Sequence, residues 1–600
     1  MNTYSEETVQ ELIELHSRLN EELISATISE ISWERIIMHL EVQIERTRRF
    51  VEEYGEDREL QFYLVTDYAR SNAYFDTEKT DDGGYVISLN ITNPGYCRCL
   101  PKGTYKIYIC AGNDILATPE IAPELAPCLA ERSREFMYSK KNRAYCVDFS
   151  IAEDDSGLYP EIRVINTKGA GIKAFTEAPK KEPSANSQKF FNLKRVRNYM
   201  TKYYHYESGK ADRSFNGEIR NILFMTEQSE TLGSNLTSVI DKMKERGLDK
   251  EYNILTSARY QVEKSYSMQS WASVIKKVAD ADMIFLDDHC PIFDWLTLSP
   301  RTTLIQLWHA GAGFKSSGYS RWGHTGCPGP VSCHRQYDYG ISGSTRVAHF
   351  HSEVFGVNRE MLLPTGMPRM DEYLSPEYRK STEKRLREEF PLTVGKEVIL
   401  FAPTYRGKNR DAAHYPYEMI DFDELYKFCR ETDKVVLFKM HPWVSQPVPI
   451  EDRFKDRFID LTAYPNINDL FYITDLLITD YSSNIYEYSL MRRPMLFYAF
   501  DKIQYAFSRG FHRDYEEAAP GRICYDFESL MRALREEDYQ FEKVEKYVDL
   551  HFEHMDSHAS DRVIDWFILK HIPDEYVSKL KERQLRNEQL KRLDFSAAME

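Results

Sequence analysis

The sequence predicts an α/β protein with two doubly wound parallel sheets, preceded by N-terminal helices and a small β-sandwich domain. Three observations predict it. At 600 residues the chain is too long for one hydrophobic core, so three or more units are expected. From Ile219 onward, short apolar runs alternate with helical stretches at βα spacing, once over 218–390 and again over 391–574. Between about 58 and 175 the apolar period drops to two and turn signals recur, the pattern of many short antiparallel strands.

Each element has its own warrant. Over 1–52, Leu12, Ile13, Leu15, Leu19, Leu23 and Ile24, then Ile36, Ile37, Leu40 and Ile44, recur at helical spacing, which predicts a packing or oligomer-forming helix pair. Over 58–175 the turns fall at Asp81-Asp82-Gly83-Gly84, Pro101-Lys102-Gly103 and Asp154-Asp155-Ser156-Gly157. Residues 176–217 read as a Pro/Ser-rich linker followed by a basic–aromatic segment. Lys194, Arg195, Arg197 and Lys202 alternate there with Phe190, Phe191, Tyr199 and Tyr203, which suits an anionic membrane surface or an ordinary solvated helix face. Residues 575–600 read as a charged helical tail.

Composition narrows the function classes. Lys+Arg 78 against Asp+Glu 94 leaves a net charge of −16, which argues against a nucleic-acid binder. No run approaches the roughly 20 apolar residues of a membrane span, and the N-terminus lacks a signal-peptide pattern. Ten irregularly spaced cysteines read as free thiols in a reducing cytoplasm. His324, Cys327, Cys333 and His334 match no common zinc spacing, so no metal is expected.

The chemistry gathers at strand ends. Leu476-Leu477-Ile478 runs into Thr479-Asp480-Tyr481-Ser482-Ser483 and then a helical pattern containing Glu487, so hydroxyls and free N–H groups meet at a helix start suited to an anion. Trp308-His309 ends another apolar strand, with Lys315 just beyond; a histidine there can take a proton from an attacking hydroxyl. Arg369 and Asp371 lie in a turn after a strand. Tyr405-Arg406 follows the first strand of the second series, where an arginine suits bidentate phosphate contact. Lys439 and His441 end the next strand, and Arg509 to Tyr515, with His512 and Arg513, form a polar loop.

WHAGAGFK, PTGMPRMD, APTYRG, KMHP, TDYSSNIYE, RGFHRDYE and the late Asp556…Ala559-Ser560…Arg562 together resemble the CDP-glycerol glycerophosphotransferase family, which includes the teichoic acid polymerases. The likeness spans about residues 218–570. It implies a GT-B-like pair of Rossmann domains that moves glycerol phosphate, or ribitol phosphate, from a CDP-alditol donor to a hydroxyl of a membrane-linked polymer. CMP is released, and neither cofactor nor metal is needed. It makes His309 the base on the acceptor hydroxyl. His441 would contact the donor diphosphate, with Lys439, Arg369 and Arg406 nearby, while Ser482 and Ser483 hold phosphate and Glu487 reaches the ribose. Trp308, Lys315, Tyr405, Asp480 and Arg513 complete the expected substrate-binding set. The implied setting is the inner face of the cell membrane, by peripheral contact. A nucleotide-sugar glycosyltransferase of the same fold is the alternative, and a non-catalytic scaffold a third reading. The alditol, the acceptor and the oligomeric state stay open.

Overall fold

The computed structural model describes residues 23–577 and 580, apart from 67–72, 95–97, 113, 140–142, 155–156, 169–184, 261–265, 310, 312–313, 325–326, 331 and 408–409. The N-terminal expectation needs correction. Among the described residues of this stretch, from 23 onward, Ile24–Glu34 and Ile37–Arg46 form an antiparallel hairpin and Arg48–Tyr54 is helical. Ile36, Ile37, Leu40 and Ile44 fit a helical spacing, but the side chains buried along this stretch are Ile36, Met38, Leu40 and Val42, a period of two. The β-branched content of Ile24–Glu34 favours the same outcome. Residues 1–22 and 581–600 lie outside the described residues, and so does most of the expected linker.

The hairpin joins Tyr85–Asn90, Asp76–Lys79 and Glu120–Ile121 in a five-stranded sheet. It faces a second sheet built on Arg134–Ser139, Arg143–Asp154, Gly157–Lys168, Gly103–Ala111, Gln61–Thr66 and Ala73–Tyr74. Ile28, Leu40, Ile87, Leu64, Ile107 and Val147 fill one core between them. Trp322, which comes from the following unit, completes that core by stacking on Phe136 (centroids 5.4 Å apart) and packing on Tyr145 (4.8 Å). The helix Ala185–Ser214 then leads onward. Its Met200 and Tyr204 are buried in the next core, while Tyr199 and Tyr206 face solvent.

Two six-stranded parallel sheets follow. Across the first, the strands run Asn253–Ala258, Asn221–Thr226, Met283–Leu286, Thr303–Gln306, Tyr339–Ile341 and Leu362–Leu363. Across the second they run Phe458–Asp460, Lys434–Phe438, Glu397–Phe401, Leu476–Thr479, Met495–Tyr498 and Arg522–Cys524. The second order, 3-2-1-4-5-6 in chain order, is that of a dinucleotide-type fold. Its strands are continuous apolar runs because both faces are covered: Val398, Leu400 and Leu477 enter one core, while Ile399, Phe401 and Ile478 enter the other.

The two units exchange residues. Tyr486 and Leu490, from the second, lie in the first unit's core, and Phe314, from the first, lies in the second's. The helical stretch Ala559–Val563, running into Ile564–Ile568, also returns to the first core through Val563, Ile564 and Phe567. A boundary at 574 therefore assigns to the second unit residues that pack with the first.

Candidate active site

Each sheet reverses its winding at one point, and a crevice opens there beyond the strand C-termini. In the first sheet the reversal lies between Asn221–Thr226 and Met283–Leu286. Asp287 ends the latter strand. A Cβ on Gly233 would overlap its carboxylate, so only glycine lets the 233 turn approach this closely. Asn235 ties two motifs together: its Nδ2 donates to the Trp308 carbonyl (2.6 Å) and its Oδ1 accepts from the Arg369 amide (3.0 Å). Trp308 holds a left-handed φ of 53° and packs edge-on against Phe355, which turns the following residue toward the crevice.

That residue is His309. Its Nδ1–H donates to the Asp287 carbonyl at 3.0 Å, which leaves Nε2 with a lone pair. The Asp288 carboxylate lies 3.6 Å from the same Nδ1, placed to stabilise the imidazolium that forms when Nε2 takes a proton. The ring is half exposed. A carbonyl that fixes the tautomer, with a carboxylate behind it, is the arrangement of a general base.

The loop beyond His309 crosses to the second unit. A Cβ on Gly311 would overlap the ring of Tyr486, so the histidine loop rests directly on the helix Ile485–Ser489. Further on, Ser316 N donates to Gly510 O (3.2 Å) and His512 N to Phe314 O (2.8 Å), a short antiparallel seam that carries Lys315 onto the donor side. Lys315 is exposed to solvent although Asp480, Arg509, Arg406 and His441 crowd around it. Burial, with Arg509 and Arg406 adding to it and Asp480 opposing, pushes its ammonium down to about 8.

At the second sheet's reversal, between Glu397–Phe401 and Leu476–Thr479, Tyr405 packs on His441 (4.7 Å between centroids) and Trp443 (5.0 Å). Arg509 donates to the Tyr405 hydroxyl at 2.9 Å. His441 Nδ1 accepts the Trp443 amide N–H at 3.2 Å. Burial, with Lys315 and Lys439 close by, pushes the imidazole down to about 4, so at neutral pH it is uncharged and its Nε2–H is a donor. Lys439 lies buried beneath, its Nζ donating to Thr462 O at 2.9 Å. Ser483 is exposed and Ser482 half-buried at the turn. Together these groups offer cations, hydroxyls and N–H donors to an anion.

Several expected roles change. Arg406 is not a free phosphate donor: Nε and Nη2 reach Asp501 (2.6 and 2.8 Å), and Nη1 reaches Asp480 (2.9 Å) and Thr404 O (2.6 Å). Asp480 in turn accepts from the amides of Thr404 (2.8 Å) and Tyr481 (2.6 Å), so the pair is a post that fixes the turn. Arg369 and Glu487 pair with each other across the crevice instead of meeting diphosphate and ribose separately. Arg513 donates to His551 Nε2 at 2.7 Å and lies over Phe350. The helix after the serines is only Ile485–Ser489, too short for much dipole, so free amides and hydroxyls carry that corner. Asp371 and the late cluster form a clamp: its carboxylate accepts from the amides of Ala559 (2.7 Å) and Ser560 (2.8 Å), and Arg562 grips Asp556 and Thr365 O.

Sequence reasoning missed Asn235, Asp287, Asp288, Trp443 and Asp501. Asp287, Asp288 and Asp501 carried a readable signal, a carboxylate close behind an apolar run; Asn235 carried none.

Two parallel-sheet units, with a histidine at a strand end of one and cations and hydroxyls at a strand end of the other, suit an α/β transferase. The chain belongs to the CDP-Glycerol:Poly(glycerophosphate) glycerophosphotransferase family, whose profile matches residues 191–569, and it is thus a transferase of the phosphotransferase type. The teichoic acid ribitol-phosphate polymerase TarL of Staphylococcus aureus is 36% identical over 430 residues, 71% of this chain and 74% of that protein. The teichoic acid ribitol-phosphate polymerase TarK of the same organism is 38% identical, over 58% of this chain and 67% of that protein. The solved wall teichoic acid polymerase TagF aligns with a TM-score of 0.48 at 23% identity, over 66% of this chain and 99% of that chain.

Proposed function

We propose that the chain moves an alditol phosphate from a CDP-alditol to a hydroxyl of a membrane-linked teichoic-acid or capsule-type polymer and releases CMP. The observation that carries this reading is the seating of the His309 loop on the Tyr486 helix, with Lys315 delivered among Asp480, Arg509 and His441. One crevice then holds a base and an anion pocket, as in-line attack on a phosphorus requires. The two parallel-sheet units act as a GT-B-like pair, the first taking the acceptor and the second the donor. His309 Nε2 removes the hydroxyl proton, the oxygen attacks the β-phosphorus, and CMP leaves with its charge met by Lys315, Arg509 and the His441 Nε2–H.

The donor we favour is CDP-ribitol. The relatives named for ribitol phosphate are 32–38% identical over 48–71% of this chain, the three polymerases among them 34–38% over 58–71%, whereas those named for glycerol phosphate reach 26–32% over 40–50%. Purified protein given a primed acceptor and either CDP-alditol should release CMP faster from CDP-ribitol. Equal inertness toward both would reject the phosphotransferase reading, and a preference for CDP-glycerol would reverse the donor.

Among the described residues no helix is long and apolar enough to cross a membrane. We read lipid contact as peripheral, through Ile503 and Phe507, exposed one turn apart on Lys502–Arg509 beside the donor pocket.

A further inference from the structure

A second group of reactive side chains lies in the first unit and has no part in the mechanism above. His289 follows the strand Met283–Leu286, Asp294 ends the turn Pro291–Asp294, and Cys333 opens the turn Cys333–Gln336. One ligating atom from each lies within 4.8 Å of the other two, and His289 Nε2 is 3.2 Å from Asp294 Oδ1. Tetrahedral zinc, with bonds of about 2.0–2.3 Å, holds its ligand atoms a little over 3 Å apart, so modest side-chain rotations close the set.

The frame is held mainly by residues other than the three ligands. Gln336 stitches the two turns together: its Nε2 donates to Phe293 O (2.7 Å) and Leu296 O (2.9 Å), and its Oε1 accepts from Leu298 N (2.8 Å). The Cys333 amide donates to Asp294 Oδ1 at 2.8 Å, and Gln228 Nε2 holds the His289 carbonyl at 2.8 Å. The Tyr337 hydroxyl lies 3.4 Å from Cys333 Sγ, accepts from Gln306 Nε2 at 3.0 Å and meets His334 Nδ1 at 3.1 Å; with the His334 proton on Nδ1, its O–H is free to donate to a thiolate. Outer hydrogen bonds of this kind orient metal ligands. His289 and Asp294 are partly exposed, giving entry and a position for water, while Cys333 is fully buried.

We propose that His289, Asp294 and Cys333 bind a thiophilic divalent cation of the zinc type, with water as fourth ligand. Sulfur, imidazole and carboxylate together select zinc over magnesium or calcium. Of the sequence's nominal set, Cys333 alone belongs to this site; Cys327 instead donates through Sγ to Met137 O at 3.4 Å, on the sandwich. The ion would join three segments, one of which directly follows Asp287 and Asp288 in the chain.

The test uses the full chain, prepared without chelators and incubated with zinc or cobalt. After desalting, about one zinc per chain is expected by elemental analysis, and the cobalt form should show thiolate-to-cobalt charge-transfer absorption. Cys333→Ser should abolish that absorption, Asp294→Asn should weaken zinc affinity by more than the roughly 10- to 100-fold that losing an outer hydrogen-bond partner costs, and Cys327→Ser should change neither. Loss of all zinc on desalting the wild type, or equal retention by Cys333→Ser and Asp294→Asn, would overturn the site. Should Cys333→Ser fail to fold, the Asp294→Asn affinity and the wild-type cobalt spectrum decide.

Discussion

His309 can act as a base because its other nitrogen is occupied. The Asp287 carbonyl fixes the proton on Nδ1, and the Asp288 carboxylate waits for the charge. His309→Ala should lower kcat about 10²- to 10⁴-fold. Because the ring is half exposed, thermal unfolding should not shift, and a matching loss of Tm would assign the residue to the fold instead. Lys315 sets the alkaline limit. With its ammonium pushed down to about 8, it is charged at neutral pH and loses that charge as pH rises past this value. A diphosphate favours the charged form, so KM for the CDP-alditol should rise above about pH 8. Lys315→Arg, charged throughout, should flatten that rise. A KM that climbs identically in both proteins would remove Lys315 from the donor pocket.

Elements explain which residues could be read in advance and which could not. The parallel strands were legible because a strand buried on both faces is a continuous apolar run, as Val398–Phe401 and Leu476–Ile478 show. The positions of His309, His441 and Ser482-Ser483 beyond strand ends were legible because each follows such a run, where open parallel sheets take ligands. The fates of Arg406, Arg369 and Arg513 were not. An arginine in a strand-end turn looks the same whether it faces phosphate or carboxylate, and Asp501, which occupies Arg406, lies 95 residues away in sequence. The N-terminal hairpin was misread because apolar residues four apart, as at Ile36, Leu40 and Ile44, fit a helical repeat and a period of two at once. The closest approach between elements is equally invisible in sequence. Gly311 has no Cβ because the ring of Tyr486 occupies that space. Gly311→Ala should force the histidine loop off the helix, cost about 1–3 kcal/mol by overpacking and lower kcat more than it raises KM for the donor. Crystallography of the variant with an unmoved His309 and full activity would show that the contact is incidental.

Over the whole molecule, one carboxylate joins all three units. Arg35, at the tip of the N-terminal hairpin, reaches both oxygens of Glu353 (2.6 and 2.8 Å), on the first parallel-sheet unit. His512, from the second unit, donates to the same carboxylate at 2.9 Å. Glu353 and His512 are buried. Burial alone would raise the Glu353 carboxyl, but the bonds from His512 and Arg35 outweigh it and hold it below the usual carboxylate range. The sandwich is thus a brace that reaches the seam beside Lys315, since His512 N also donates to Phe314 O. Arg35→Ala leaves a buried carboxylate with one partner fewer and should cost about 1.5–3 kcal/mol at pH 7. The sign with pH follows from the depressed carboxyl: its stabilisation is present above the ordinary carboxylate pKa and fades as pH falls through the folded value. The gap in urea midpoint between wild type and Arg35→Ala should therefore be widest near neutrality and narrow in acid. Because the same node steadies residues 510–512, the variant should also raise KM for the CDP-alditol, although Arg35 lies outside the crevice. A sandwich that merely spaces the polymer would give the stability loss with KM unchanged.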